Sequence, residues 1–182
     1  AAGAHLHALS RLRDPRPVET AKRHSSIGSQ RALGNRPPPP AELELILTQL
    51  VDGLAKRLRD RGSSCSTVVL RLRYGDYTKA TRNRTLAAPT DRTEVLLGAA
   101  QGLLEGAAQQ IADRGVTLVG VSFAQLGTAD AVQPELPIWH DGARLDTALD
   151  AVRDKFGSAA VTRAALMGRD PGWSTPRLPD HD

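Results

Sequence analysis

Residues 65–74, Cys-Ser-Thr-Val-Val-Leu-Arg-Leu-Arg-Tyr, carry the pattern that most constrains this chain. Successive side chains of a β-strand point to opposite faces. A strand here puts Val68, Leu70, Leu72 and Tyr74 on one face and Thr67, Val69, Arg71 and Arg73 on the other. The first set requires a covering layer. The second ends in two arginines and resists one, because burying an unpaired charge is costly. The pattern predicts a sheet covered on one side and turned on the other toward something anionic and extended.

The neighbouring segments predict the rest of that sheet. Ser25-Ser26-Ile27-Gly28-Ser29 opens a strand-like run over 25–34, and the four prolines at 37–40 make a stiff spacer. A helix is expected over about 41–61, where Leu43, Leu47, Leu50, Leu54 and Leu58 form one apolar stripe. Gly62 suits the left-handed position just past its end. After the arginine-bearing strand, Gly75-Asp76 supply a turn and residues 77–86 a partner strand with Lys79, Arg82 and Arg84. The alternation of those three is imperfect and does not place them all on one face.

A second helix is expected from Asp91, which has capping-box spacing to Glu94. Its buried face would be Leu97, Ala100, Leu104, Ala108 and Ile111. It ends Asp113-Arg114-Gly115, the same three residues that close the first helix, and an apolar strand follows over 116–123. The order is β-α-β-β-α-β. That is an α+β fold of the split βαβ plan, a four-stranded sheet with two helices on one face.

The flanks differ in character. Ala4 to Arg13 read as the end of a helix, stopped by Asp14-Pro15-Arg16-Pro17, and residues 14–24 as a basic linker. Beyond Ala129 come a turn-rich segment, an amphipathic stretch marked by Leu145, Leu149, Val152 and Phe156, and a Gly/Pro-rich tail. The one methionine is Met167, so a C-terminal fragment of a larger protein is expected. The lone Cys65 excludes an intramolecular disulfide and a cysteine-based zinc site, and is expected to be a small buried or half-buried strand residue rather than a nucleophile. Aromatics are 3% of the chain, so the core must come from Leu, Val, Ala and Ile. No apolar run approaches the roughly 18 residues of a membrane span, and no membrane partner is expected. The net charge of +4 suits a nucleic acid or another anionic surface.

Catalytic constellations are missing. Asp146, Asp150 and Asp154 are the one regular acidic set. On a helix the outer two stand about 12 Å apart, too far to share a pair of metal ions about 4 Å apart, so a solvated stripe is expected. His5, His7, His24, His140 and His181 are scattered without triad or metal spacing. No nucleophile, base and orienting group come together for a hydrolase. An RNA-binding split βαβ module is the alternative of another class. Such modules stack bases on aromatics of their central strands, whereas this face offers arginines and small polar residues.

Taken together, RDPRPVETAKRHSSIGSQRALG (13–34), VVLRLRYGDYTKATRNRTL (68–86), GVTLVGVSFAQL (115–126) and LDTALDAVRDKFGSAAVTRAALMGRD (145–170) resemble the C-terminal region of a bacterial Y-family translesion DNA polymerase of the DNA polymerase IV type. The resemblance implies the end of the thumb over 1–13 and an interdomain linker over 14–24. It implies a little-finger DNA-binding domain over 25–129 and a tail with a clamp-binding peptide and a helix over 130–182. That domain would lay its sheet into the major groove of primer–template duplex. Ser25, Ser26, Gly28 and Ser29 would offer amides and hydroxyls to the phosphates, and Arg71, Arg73, Arg82 and Arg84 would supply charge. Thr117 and Leu118 stand where some relatives carry basic residues. Gln133, Leu136, Pro137 and Ile138, with Trp139 beside them, fit the peptide by which bacterial polymerases bind the sliding clamp. The metal-binding acids of the family belong to the palm, absent from this chain. The fragment is therefore expected to be inactive alone and to need no cofactor, with Mg²⁺ serving the full-length polymerase. It is expected to be monomeric, cytoplasmic and nucleoid-associated.

Overall fold

Leu43, Leu47, Leu50, Leu54 and Leu58 all lie buried along one side of α2 (Pro40–Asp60), against a four-stranded antiparallel sheet. The computed structural model describes residues 2–14, 16–17, 25–34, 37–128 and 142–168. Pro40 opens α2, where its missing N–H would have had no helical partner. Gly62 closes it at φ +55, its N–H donating to the Arg59 carbonyl at 2.8 Å. A separate short helix, α1 (Ala2–Ser10), precedes the domain.

The sheet contains β1 (Ser26–Ala32), β2 (Ser63–Tyr74), β3 (Lys79–Thr90) and β4 (Val116–Thr128), in the order β1-β4-β2-β3. Strand β4 lies between β1 and β2, and β2 lies between β4 and β3, so each β-α-β unit is split by a strand of the other. Residues directly opposite in an antiparallel pair share a face. Three rows meet the helices: Ile27–Phe123–Val68–Arg84, Ser29–Val121–Leu70–Arg82 and Arg31–Val119–Leu72–Ala80. Their central members are buried and form the core with α2 and α3 (Thr93–Glu105). Cys65 is buried among them, and that burial pushes its thiol up to about 12.

The second helix departs from expectation in two ways. It breaks at Gly106-Ala107 into α3 and a short α4 (Ala108–Arg114). The break resets the helical phase, so the buried positions are Leu96, Ala99, Ala100, Leu104 and Ala107; Ala108 is exposed, and Leu97 and Ile111 pack at the margin. The N-cap is Arg92 rather than Asp91, and it makes no capping side-chain bond. The first-turn N–H of Thr93 instead donates to Asp146 Oδ2 at 2.8 Å, so the cap arrives from another helix.

That helix is α5 (Gly142–Phe156), and it overturns the expectation of a solvated acidic stripe. Asp150 takes Arg59 bidentately, at 2.6 and 3.2 Å, and Asp146 lies 3.3 Å from the same guanidinium. Asp146 and Asp150 are buried; Asp154 stays mostly exposed while bonding Lys56 at 2.8 Å. The acids are spent on cations of α2, a pairing invisible from α5 alone. The apolar residues marking this stretch behave inversely, for Leu145, Val152 and Phe156 are exposed.

The α2 stripe is open to a direct test. Leu54→Ala removes a fully packed side chain between helix and sheet and should cost about 2–5 kcal/mol in urea unfolding. A cost below about 1 kcal/mol would mean that this contact does not hold the layers together.

Candidate nucleic-acid interface

The face turned away from α2 and α3 is also fixed by register. Its rows read Ser26–Ala124–Thr67–Thr85, Gly28–Ser122–Val69–Asn83, Gln30–Gly120–Arg71–Thr81 and Ala32–Leu118–Arg73–Lys79. The β2–β3 half is cationic, through Arg71, Arg73 and Lys79. The β1–β4 half carries mainly small side chains, Gln30 and Leu118 apart, and two of its glycines are required by close approach. A Cβ on Gly28 would fall 2.7 Å from Ser122 Oγ and 3.2 Å from the Val121 carbonyl. One on Gly120 would fall 3.0 Å from Gln30 Cβ. This half therefore brings its backbone close to the surface, and β1, paired on one side only, directs alternate amides outward.

Arg71 is exposed, and no hydrogen bond or ion pair holds it among the described residues. Arg73 is oriented from within: its Nε donates to Thr117 Oγ1 at 3.0 Å, and its guanidinium lies 5.8 Å from the centroid of the Tyr77 ring. Thr117 sits where the β2–β4 register shifts, its hydroxyl 3.2 Å from the carbonyls of both Arg73 and Tyr74. Thr117 thus steadies a neighbouring arginine.

Four of the expected contact residues, Ser26, Gly28, Arg71 and Arg73, share the open face, and Ser25 stands exposed just before β1. The other three do not join them. Ser29 lies on the helix face opposite Val121. Arg84 and Arg82 pair with Val68 and Leu70, so strand parity sends them to the helix side of β3. Arg82 Nη2 donates to Gln110 Oε1 at 3.1 Å, and Arg84 Nη1 lies 3.3 Å from where a Cβ on Gly102 would stand. They border the helices at the sheet edge and are not covered by them. Lys79 and Thr81 join the open face through the β2–β3 register, and Gln30 through the pairing of β1 with β4; those registers were the missing signal for them. Gln133, Leu136, Pro137 and Ile138 lie outside the described residues.

Two groups of cations stand apart. Arg59, Arg114, Arg153, Arg163 and Lys56 each hold an aspartate. Arg71, Arg73, Lys79, Arg82 and Arg84, all on β2 and β3, have no acidic partner among the described residues. The turn between these strands is anchored separately. Asp76 accepts from the Thr78 N–H at 3.1 Å, from the Thr78 hydroxyl at 2.7 Å and from Arg114 Nη2. Gly75 N–H donates to the Arg114 carbonyl at 3.1 Å, and the Arg114 guanidinium lies 4.2 Å from the centroid of the Tyr74 ring. Among the described residues no three His, Cys, Asp or Glu side chains are placed to hold a metal ion. Asp146 and Asp150 are engaged by Arg59 and do not fit a Mg²⁺ pair.

A family model described as the impB/mucB/samB family C-terminal domain matches residues 24–136. DNA polymerase IV 2 of Mesorhizobium japonicum is 33% identical over 175 residues, covering 88% of this chain and 42% of that protein. DNA polymerase IV of Caulobacter vibrioides is 32% identical over 170 residues, covering 92% of this chain and 41% of that protein. The chain thus spans about two-fifths of the length of these relatives. Among solved structures, a Y-family DNA polymerase chimera covers 70% of this chain at a TM-score of 0.53 and 14% identity, with 36% of its own length matched. That likeness concerns the fold alone.

The β2–β3 turn should be sensitive to acid. Hydrogen bonds first from Arg114 and then from Thr78 hold the Asp76 carboxyl down to about 2. A carboxyl depressed on folding stabilises above its ordinary pKa and loses that contribution as pH falls through the depressed value. The turn lock should therefore persist at pH 4 and fade toward pH 2. NMR titration of the Asp76 carboxyl checks this, and Arg114→Ala should return its midpoint toward about 3.9. A midpoint already ordinary in the unsubstituted chain would refute the lock.

Proposed function

The chain belongs to the impB/mucB/samB family, as the C-terminal region of a Y-family DNA polymerase of the DNA polymerase IV type, and from that premise we propose that its open sheet face grips duplex DNA by the phosphate backbone. One observation carries this: Arg71, Arg73, Lys79, Arg82 and Arg84, clustered on β2 and β3, have no acidic partner among the described residues, whereas Arg59, Arg114 and Arg153 are held by aspartates. Arg71 and Arg73 stand two residues apart on one face, about 6.6 Å, and Lys79 sits beside Arg73. The small-residue half lets a phosphate chain approach β1, where Ser25, Ser26 and Gly28 offer polar groups. Arg82 and Arg84 add charge from the helix side of the same edge. Backbone contacts position a protein without reading sequence, which suits a polymerase that must move to the next base whatever it is.

A single-stranded RNA partner would need aromatics on the central strands. Tyr74 and Phe123, the aromatics of those strands, are buried in the core. The RNA-binding alternative therefore lacks its stacking platform.

Residues 1–13 are proposed as the end of a thumb and 14–24 as the linker to a little finger over 25–129. Gln133, Leu136, Pro137 and Ile138 are proposed to insert into a sliding clamp, supported by their spacing and by their place after the sheet domain. Within the whole polymerase, nucleotidyl transfer and its Mg²⁺ would belong to the palm. The work would take place at the bacterial nucleoid, with this region as a monomer.

Arg71→Ala with Arg73→Ala should weaken duplex binding equally across sequences. It should also flatten the plot of log affinity against log salt by about 2, one for each lost phosphate contact. An unchanged affinity and slope would remove the open face from consideration. Replacing Gln133 and Leu136 by Ala should abolish clamp association in a pull-down while leaving DNA affinity intact; loss of both activities together would contradict separate sites.

A further inference from the structure

The outer side of α2 presents Asp52, Lys56 and Arg59 at steps of four and three, on one helix face. Every one of them is paired to the tail. Arg59 holds Asp150 and Asp146, and Lys56 holds Asp154 at 2.8 Å. Asp52 takes Arg153 at 2.8 Å and Arg163 at 3.1 Å. Arg153 also donates to the Val161 carbonyl at 3.2 Å, tying the residues after α5 back to the helix. The contact is thus made almost wholly of charge. Apolar burial contributes little, through Leu166 and half-buried Leu149 and Val161. The apolar stripe of α5 faces away, with Leu145 61% and Phe156 67% exposed.

An amphipathic helix held by the hydrophobic effect would bury that stripe. This one buries Asp146, Asp150 and Arg153 instead. A buried ion pair gains from attraction roughly what it loses in hydration, so the balance is close. Lifting the whole helix returns every charge to water at once and exposes little apolar surface. Removing a single partner has the opposite consequence: it strands a buried charge, and release of the helix is the easier response. We propose that α5 is a strap latched by charge over α2 and α3, which docks and releases as a unit while the sheet domain stays folded.

The latch reaches the start of α3. Arg59 Nη1 donates to the Asp91 carbonyl at 3.0 Å and to Thr93 Oγ1 at 2.9 Å, and Asp146 caps the Thr93 N–H. Release therefore leaves the first turn of α3 without its cap.

Amide hydrogen exchange on the full chain tests the strap. Asp150→Asn should lower protection across 144–156 at least tenfold and leave β2 and β4 unchanged. Raising salt from about 50 mM to 500 mM should do the same to the unsubstituted chain, since screening favours the separated charges. Replacing Leu145, Val152 and Phe156 together by Ser should leave α5 protection as it was. If α5 stays protected in Asp150→Asn and in high salt, or if the serine variant releases it, the strap is not held by charge and the proposal fails.

Discussion

A strand can send only every second side chain to a given face, and in β2 that restriction governs both the core and the open surface. Val68, Leu70, Leu72 and Tyr74 are buried beneath the helices, so Arg71 and Arg73 have nowhere to go but outward. A slip of one residue would bury both guanidiniums without partners. The pairing of β2 with β4 and β3 carries the same parity across the sheet. It sets Gly28 and Gly120 on the open face and Arg82 and Arg84 on the other. One alternating segment thus orders the packing of the helices and the groups offered to a ligand.

Charge serves two purposes in this chain, and geometry separates them. Arg59, Arg114 and Arg153 are fastened to aspartates and hold elements together: the tail helix to α2, the β2–β3 turn to α4. The arginines of β2 and β3 have no such engagement among the described residues. Without an internal counter-charge, a guanidinium keeps its field for an external anion, and its release of counterions makes binding salt-dependent. Thr117 shows how the two roles meet, steadying Arg73 through Nε.

Local pattern was enough where one element decides its own fate. The leucine stripe of α2, the left-handed Gly62 and the alternation of β2 are properties of short segments, and the structure has them as expected. What escaped depends on partners distant in sequence. Lys79, Arg82 and Arg84 could not be assigned to faces until β3 was registered against β2. The break at Gly106-Ala107 puts Ala107 into the core, a contact that the periodicity of the segment does not contain. Asp146, Asp150 and Asp154 read as a solvated stripe because their cations lie on α2, 91 residues away for the Arg59–Asp150 pair. The apolar residues of α5 then misled in the same way, since charge and not apolar area sets how that helix docks.

The most direct test of the open cationic face is an NMR titration of the whole chain with a short DNA duplex, following backbone amides. Shifts should concentrate on Gly28, Gln30, Arg71, Arg73, Lys79 and Thr81 and stay small along α2 and α5. Shifts gathered on α2 and α5, with β2 and β3 silent, would contradict the account.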